Sequence, residues 1–547
     1  MWRRFLSLVF VASVLSTAAA ADGGAADRIL HNGKVFTADP ERPWAEAVAI
    51  RGSRILAVGE DERILSLAGR ETSLTDLGGR VVVPGFNDAH VHLAVGLPRL
   101  TLPPIDIPGP GPTLPVALAQ VADAVPGAAP GEWIIATVGE ALILDPAADR
   151  FALDAVAPDH PVMLLTWSSH SAVLNSAGLA AAGISETERD PFGGEYGRLP
   201  GSDVVNGQVH EYALFRVFRA VRSAVPDQVL KAEFETLAGL AVRLGVTSLQ
   251  EMTLGVSRQR SRRILGGADL PLRLRSICVP LEVAEPCPSA GRAAPGRVVF
   301  SGVKWLTDGT FIERSAALNG PWADFPGTGR YNPTPSELRR IVTRGLLSPP
   351  RKGQLLLHAV GDRALDNALA AFEAAAPAPV WRRRRPRLEH ADLLFGEEQL
   401  QRVRRLGAVV VQNPTHLTLD LEPSLGPVRA AEAQPLRRLV DGGVALAFGS
   451  DAGLPNPFLD LFLAVLHPFH PGEGLSMEEA VTAYTRGSAL AELEARRKGM
   501  LRRGFLADLA VLSQDIFTIP PPEVPETVSL LTVVGGEVVW DAGALSP

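Results

Sequence analysis

Cysteine is nearly absent from this 547-residue chain, occurring only as Cys278 and Cys287. Two cysteines are too few for a fold built on disulfides and are wrongly spaced for a zinc ribbon. After export they either pair across a small surface loop or stay as separate thiols. Positive charge is not in excess: 53 Lys and Arg against 60 Asp and Glu leave a formal −7. Nothing therefore draws the molecule to phosphate backbones, and no nucleic-acid partner is expected. The one dense basic run, Arg382 to Arg385 in WRRRRP, is short and reads as a solvated connection. Long hydrophobic runs are also missing. In MWRRFLSLVFVASVLSTAAAA the apolar stretch runs only from Phe5 to about Thr17, shorter than the roughly 20 residues of a membrane-crossing helix. Two arginines before it and small residues after it make residues 1–21 a secretory signal peptide, cleaved near Ala20 or Ala21. The mature protein is expected in the periplasm, without a membrane span.

What is present is an ordinary folded composition, 46% hydrophobic and 21% charged, on a chain long enough for several domains or one large barrel with additions. Residues 22–80 alternate short β-type runs with turns; Asn32-Gly33 and Arg51-Gly52 both read as hairpin turns. Residues 501–547 repeat the pattern, with Gly535-Gly536 as the turn, so the two ends are expected to pair into one composite sheet domain. Between them, eight apolar runs beginning near residues 81, 246, 272, 299, 354, 386, 408 and 444 alternate with helical stretches. Thr334 with Glu337 and Ser476 with Glu479 read as capping boxes at two of those helices. Eight such units argue for an α/β chain whose residues 81–500 form a (β/α)₈ TIM barrel. The stretch from about 100 to 240 is too long for one connection and is expected to be an inserted subdomain over the barrel mouth.

Residues with ligand chemistry sit where these runs end, the edge at which a barrel carries its active site. His90 and His92 in FNDAHVH are two apart at a strand end and point to one side, able to grip one ion. Lys304 interrupts the apolar GVKWL, where an unpaired ammonium is costly; alone it could snorkel or pair with Asp308. His358 ends QLLLH, His390 ends RLEH and Asp451 follows VALAFGS. Each by itself is more often a hydrogen-bonded strand-end residue or a turn former than a ligand, but their joint occurrence at strands one, four, five, six and eight reverses that and points to a metal site.

The motifs GFNDAHVHL, GVKWLTDGT, LLLHAVGDRALDNAL, RLEHADLL and AFGSDAGLPNPFLDL, with GFLADLAVL and VVGGEVVW near the end, together resemble the amidohydrolase superfamily. The resemblance is to its amidohydrolase-3 branch of N-substituted formamide deformylase-like proteins and covers nearly the whole mature chain. It implies a barrel with a β-sandwich built from both chain ends, holding one or two divalent ions, usually zinc. His90 and His92 would bind the buried ion, His358 and His390 the outer one. Lys304 would bridge both as a carbamate, and Asp451 would touch the metal and move protons. Glu251, at the second strand's end, is the substitute bridge. By the same resemblance His170 in WSSHSAVL approaches the metal and orients a substrate carbonyl.

Asp362 and Arg363 after the fifth strand read either as a helix start or as substrate contacts. His416, in QNPTH after the seventh, is placed at the mouth, and His210 and Glu211 of the insertion are within reach of the pocket. A zinc-activated hydroxide, with Asp451 as general base and then acid, would hydrolyse a C–N bond of a small amide, N-formyl or cyclic amide. The same site could open an ester, lactone or carbamate, or merely hold metal in a binding protein. The partner is a small-molecule substrate; barrels of this kind often form homo-oligomers, though no periodic or apolar patch specifies one here.

Overall fold

The computed structural model describes residues 24–546 apart from 94–96, 98–101, 103, 105–108, 288–290, 293–295, 350–352, 395 and 453–454. The signal-peptide expectation lies outside the described residues. Among the described residues no helix is long and apolar enough to cross a membrane.

Eight parallel strands close the barrel: β1 Phe86–His92, β2 Val246–Glu251, β3 Arg273–Cys278, β4 Val298–Leu306, β5 Leu355–Ala359, β6 Arg387–His390, β7 Val409–Gln412, and β8, made of Ala445–Phe448 and Asp451–Ala452. Closure depends on the break in β8. Its first half pairs with β7 through Val409↔Ala445, and its second half pairs with β1 through Asp451↔Val91. At the break, a Cβ on Gly449 would lie 2.5 Å from the His90 backbone nitrogen, so only glycine lets β8 approach β1 this closely. Strands β5, β6 and β7 are buried along their whole length, which is why they read as continuous apolar runs rather than alternating ones. The Thr334/Glu337 and Ser476/Glu479 capping boxes are both formed.

The first strand differs from the sequence expectation. Val81–Pro84 pairs with Lys34–Val35 and Leu509–Val511, outside the barrel, which begins at Phe86. Pro84-Gly85 breaks the apolar run VVVPGF into two strands, because proline lacks the N–H that a continuous ladder needs. Asn32-Gly33 is likewise no hairpin. The strands on either side of it, Ala26–His31 and Lys34–Phe36, belong to different sheets, and Asn32 turns the chain between them with φ 55° while its side chain donates to Asp76. Arg51-Gly52 and Gly535-Gly536 do join antiparallel neighbours.

The two chain ends form one unit. A six-stranded sheet interleaves Lys34–Phe36, Trp44–Ala45 and Val81–Pro84 with Leu509–Leu512, Ser529–Val534 and Glu537–Asp541, and a four-stranded sheet from residues 26–76 packs on it around Leu30, Val48, Leu509 and Val533. The insertion carries a five-stranded mixed sheet with a core of its own that includes Val121, Leu142, Leu153 and Val173. The hairpin between its strands Val162–Thr166 and Ser171–Leu174 brings Ser168 and His170 to the barrel mouth. Cys278, the last residue of β3, is disulfide-bonded to Cys287. In the basic run, Trp381 is buried, and Arg384 donates to the carbonyls of Leu346 and Ser348.

Candidate metal centre

Strand alternation turns His90 and His92 to the same side of β1, and their Nε2 atoms lie 3.2 Å apart. The other ring nitrogen of each is already committed. His90 Nδ1 donates to Glu389 Oε2 at 2.7 Å and His92 Nδ1 to the Met252 carbonyl at 2.6 Å, so both Nε2 atoms present bare lone pairs. Burial and the nearby Lys304 push both rings below their ordinary pKa, which keeps them neutral. Lys304 Nζ sits 2.8 Å from His90 Nε2 and 3.0 Å from His92 Nε2, fully enclosed. Among the described residues no carboxylate lies within ion-pair distance of it, Asp308 included. Asp308 instead accepts the backbone N–H groups of Ala317, Val360 and Gly361. Asp451 completes the group, its Oδ1 3.5 Å from His90 Nε2 and 3.7 Å from His92 Nε2.

Two facing lone pairs, a carboxylate oxygen and a buried lysine without an acid partner are a poor arrangement for an empty protein interior and a good one for a dication. His90, His92 and Asp451 have donor atoms within 4.8 Å of one another, as do His390, His416 and Asp451. His358 and His390 stand with ring centroids 4.5 Å apart, and His358 Nδ1 is buried without a hydrogen-bond partner. The donor set thus fits a divalent ion. Strain gathers here as well: His390, Ala391 and Asp451 hold left-handed φ values of 69°, 53° and 63°, conformations that non-glycine residues keep only where their surroundings impose them.

Glu389 shows how the centre is braced. Burial opposes its ionisation, but the Arg387 guanidinium, bonded to both carboxylate oxygens at 2.7 Å, and the His90 hydrogen bond hold its pKa at about 2. Partners of this kind set ligand orientation and basicity. Glu389→Gln is expected to weaken metal affinity about 10–100-fold, read by competition against a chromophoric chelator; an unchanged affinity would remove this role.

Asp451 Oδ2 faces the opposite way, 3.2 Å from both His416 Nε2 and Asn413 Nδ2. His416 Nδ1 also lies 3.2 Å from Asp392 Oδ2. Burial disfavours its charge, yet the two carboxylates raise it to about 10. Although His416 falls within reach of a metal, both its nitrogens are taken up between acids, so it orients Asp451. Asp451 itself, despite burial, is held well below the usual carboxylate range by His90, His416, His390 and His92. Across the cavity His170 Nδ1 donates to Glu211 at 2.9 Å, and Asn332 holds the other oxygen of Glu211. Burial opposes charging of His170, but Glu211 and Glu313 raise its pKa.

Other residues singled out by sequence lie elsewhere. Asp362 binds the backbone N–H of Asn319, and Arg363 donates to the carbonyls of Thr328 and Gly329. Both tie down the loop after β4 and neither lines the cavity at the mouth. Glu251 is spent on the Leu93 N–H and the Thr253 hydroxyl, its pKa raised by burial to about 8. His210, adjacent to Glu211 on an extended strand, points the other way and bonds Ser171. Sequence reasoning passed over Glu389, Asp392 and Asn413, although Glu389 and Asp392 flank His390 in RLEHAD.

Residues 73–540 match the amidohydrolase family, in its amidohydrolase-3 branch. The chain belongs to this family. It is 29% identical to the protein LONG AFTER FAR-RED 3 of Arabidopsis thaliana, over 95% of this chain and 92% of that one. It is 26% identical to the N-substituted formamide deformylase of Arthrobacter pascens, over 94% and 98%. A crystal structure of an uncharacterized metal-dependent hydrolase from Pyrococcus furiosus matches with a TM-score of 0.66 at 25% identity, covering 90% of this chain and all of that one. This amidohydrolase is therefore a metal-dependent hydrolase with a (β/α)₈ barrel and additional sheet domains.

Proposed function

We propose that the protein is an exported, zinc-dependent amidohydrolase that cleaves the C–N bond of a small, neutral amide carrying an apolar substituent, with an N-substituted formamide as the type substrate. The observation that carries this reading is the cavity of about 470 Å³ that opens onto Asp451, His358 and His390. Its walls include Trp167, Phe311, Ile312, Leu419, Leu459 and Leu463, and no lysine or arginine is among the described residues lining it. The charged rings that reach it, His416 and His170, are already paired with Asp392, Asp451 and Glu211. A substrate carboxylate would therefore be buried there without a free cationic partner, a heavy penalty, whereas an apolar group gains by burial. The name of the Arthrobacter relative supports the bond type. The chain's beginning, MWRRFLSLVFVASVLSTAAAA, supports export to the periplasm.

His90 and His92 would hold one ion, His358 and His390 a second, and Asp451 would reach both. When bound, zinc polarises the scissile carbonyl and makes water acidic enough to ionise near neutrality. Asp451, steadied on Oδ2 by Asn413 and His416, takes the proton of the attacking water and returns it to the leaving nitrogen. His170, fixed by Glu211, donates to the carbonyl oxygen as negative charge develops. Lys304 suits a carbamate bridge: its amine, lowered by burial to about 8, adds to carbon dioxide and loses a proton, giving oxygen donors and a negative charge where an ammonium offers neither.

The test compares an N-arylalkyl formamide with an N-formyl amino acid of similar size. The neutral substrate should show a kcat/KM larger by about 100-fold, the order expected when a buried polar group is left unpaired. Equal values, or preference for the acid, would contradict the substrate class.

A further inference from the structure

At the end of the barrel remote from the metal donors lies a second cavity, of about 180 Å³, several times the roughly 30 Å³ that a water occupies in the liquid. It sits between the N-terminal ends of β3 and β4 and the segment leading from residue 492 to the C-terminal strands. Arg273, Arg275, Arg297, Lys498, Glu492 and Glu494 line it. Three of the four cations are matched by acids: Arg273 by Asp508 at 2.8 Å, Lys498 by Glu492, and Arg297 by the exposed Glu537. Glu494 pairs with Arg497 at 3.1 Å.

Arg275 is different. It is 4% exposed and donates to Ser301 Oγ at 2.9 Å, Gln250 Oε1 at 3.3 Å and Gln354 Oε1 at 2.8 Å. Among the described residues no carboxylate lies within ion-pair distance of it. Neutral oxygens solvate a guanidinium without neutralising it, and a buried charge in that condition is costly. Desolvation and the neighbouring Arg387 pull its pKa down, Glu492 and Glu389 oppose them from beyond ion-pair distance, and the result is about 9, so it stays cationic at neutral pH. Gln250 Oε1 is shared with Arg387 Nη1 at 2.6 Å. Arg387 in turn holds Glu389 and Glu389 holds His90, so the cavity and the metal donors are two ends of one hydrogen-bonded chain.

We propose that this floor cavity is a binding site for a small oxyanion, a carboxylate or phosphate, held by Arg275 and flanked by Arg297 and Lys498. Planar guanidinium groups suit such ligands because their N–H donors match paired oxygens. An anion there supplies the direct counter-charge that Glu492 and Glu389, both beyond ion-pair distance of Arg275, do not, and Arg297 on the rim guides it in.

The experiment is calorimetric titration of inorganic phosphate, and separately of acetate, into the metal-loaded enzyme and three variants. One saturable site is expected for at least one of the two anions. Arg275→Gln should weaken it about tenfold or more, the scale of a lost charge-assisted hydrogen bond. Arg297→Ala should weaken it and Glu494→Gln, which removes a rim acid, should tighten it, each by several-fold. Should Arg275→Gln fail to fold, the opposite shifts of the other two still carry the test. An anion resting on the metal would bind all variants with wild-type affinity and compete with substrate. That result, or the absence of saturable binding in folded wild-type enzyme, would overturn the proposal.

Discussion

Asp451→Asn is expected to lower kcat by about 10²–10⁴-fold, the usual contribution of a positioned acid–base group, while the metal stays bound. The substitution keeps the side chain's size and leaves an amide oxygen to face His90 and His92, 3.5 and 3.7 Å from the present Oδ1. What it removes is the ability to accept a proton. The bonds from Asn413 and His416 to Oδ2 show that the carboxylate is held in one orientation, so water cannot easily replace it. Because the loss falls in the transition state, kcat and kcat/KM should fall together with little change in KM. Turnover within tenfold of wild type would mean that the proton moves by another route and would remove Asp451 from the acid–base role.

Lys304→Met is expected to strip the centre of metal and to reduce turnover by about 10³-fold or more, since a bound ion contributes several kcal/mol of transition-state stabilisation. Its effect on the metal-free fold runs the other way. An enclosed ammonium without an acid partner destabilises, and burial lowers its pKa from the usual 10.5 to about 8. Below about pH 8 the lysine is charged in both states and folding bears the full penalty. Between about 8 and 10.5 the unfolded chain holds the proton that the folded chain has released, so stability rises with pH. Above 10.5 the penalty is gone. Metal-free Lys304→Met should therefore melt above metal-free wild type at pH 7, with the gap closing as pH rises through that window. Crystallography of the loaded wild type provides the complementary check, because an unmodified Lys304 beside a full metal complement would end the carbamate reading.

Much of the fold was legible because the barrel strands are buried on both faces and appear as apolar runs ending in His358, His390 or Asp451. The Val81–Pro84 strand was not, since an apolar run does not reveal which sheet buries it; only pairing with Leu509–Val511 decides that. Asn32-Gly33 carried the local chemistry of a hairpin but serves a turn between two sheets, tertiary packing overriding the local preference. At the site, the histidines, Lys304 and Asp451 were readable from strand-end position. Their supports were not: His170 meets Glu211 across 41 residues of sequence and Glu211 meets Asn332 across 121, contacts created by how the insertion sits on the mouth. Asp362 and Arg363 looked like site residues because they follow a ligand strand, yet their side chains turn to the neighbouring loop.

On the proposed reading these donors hold metal and hydrolysis depends on it. The most direct measurement is elemental analysis of the purified mature protein, paired with turnover of an N-arylalkyl formamide before and after chelation and again after adding zinc. One to two equivalents of divalent metal, activity lost with the metal and regained with zinc, is the predicted result. Full activity at a metal content far below one equivalent would contradict it.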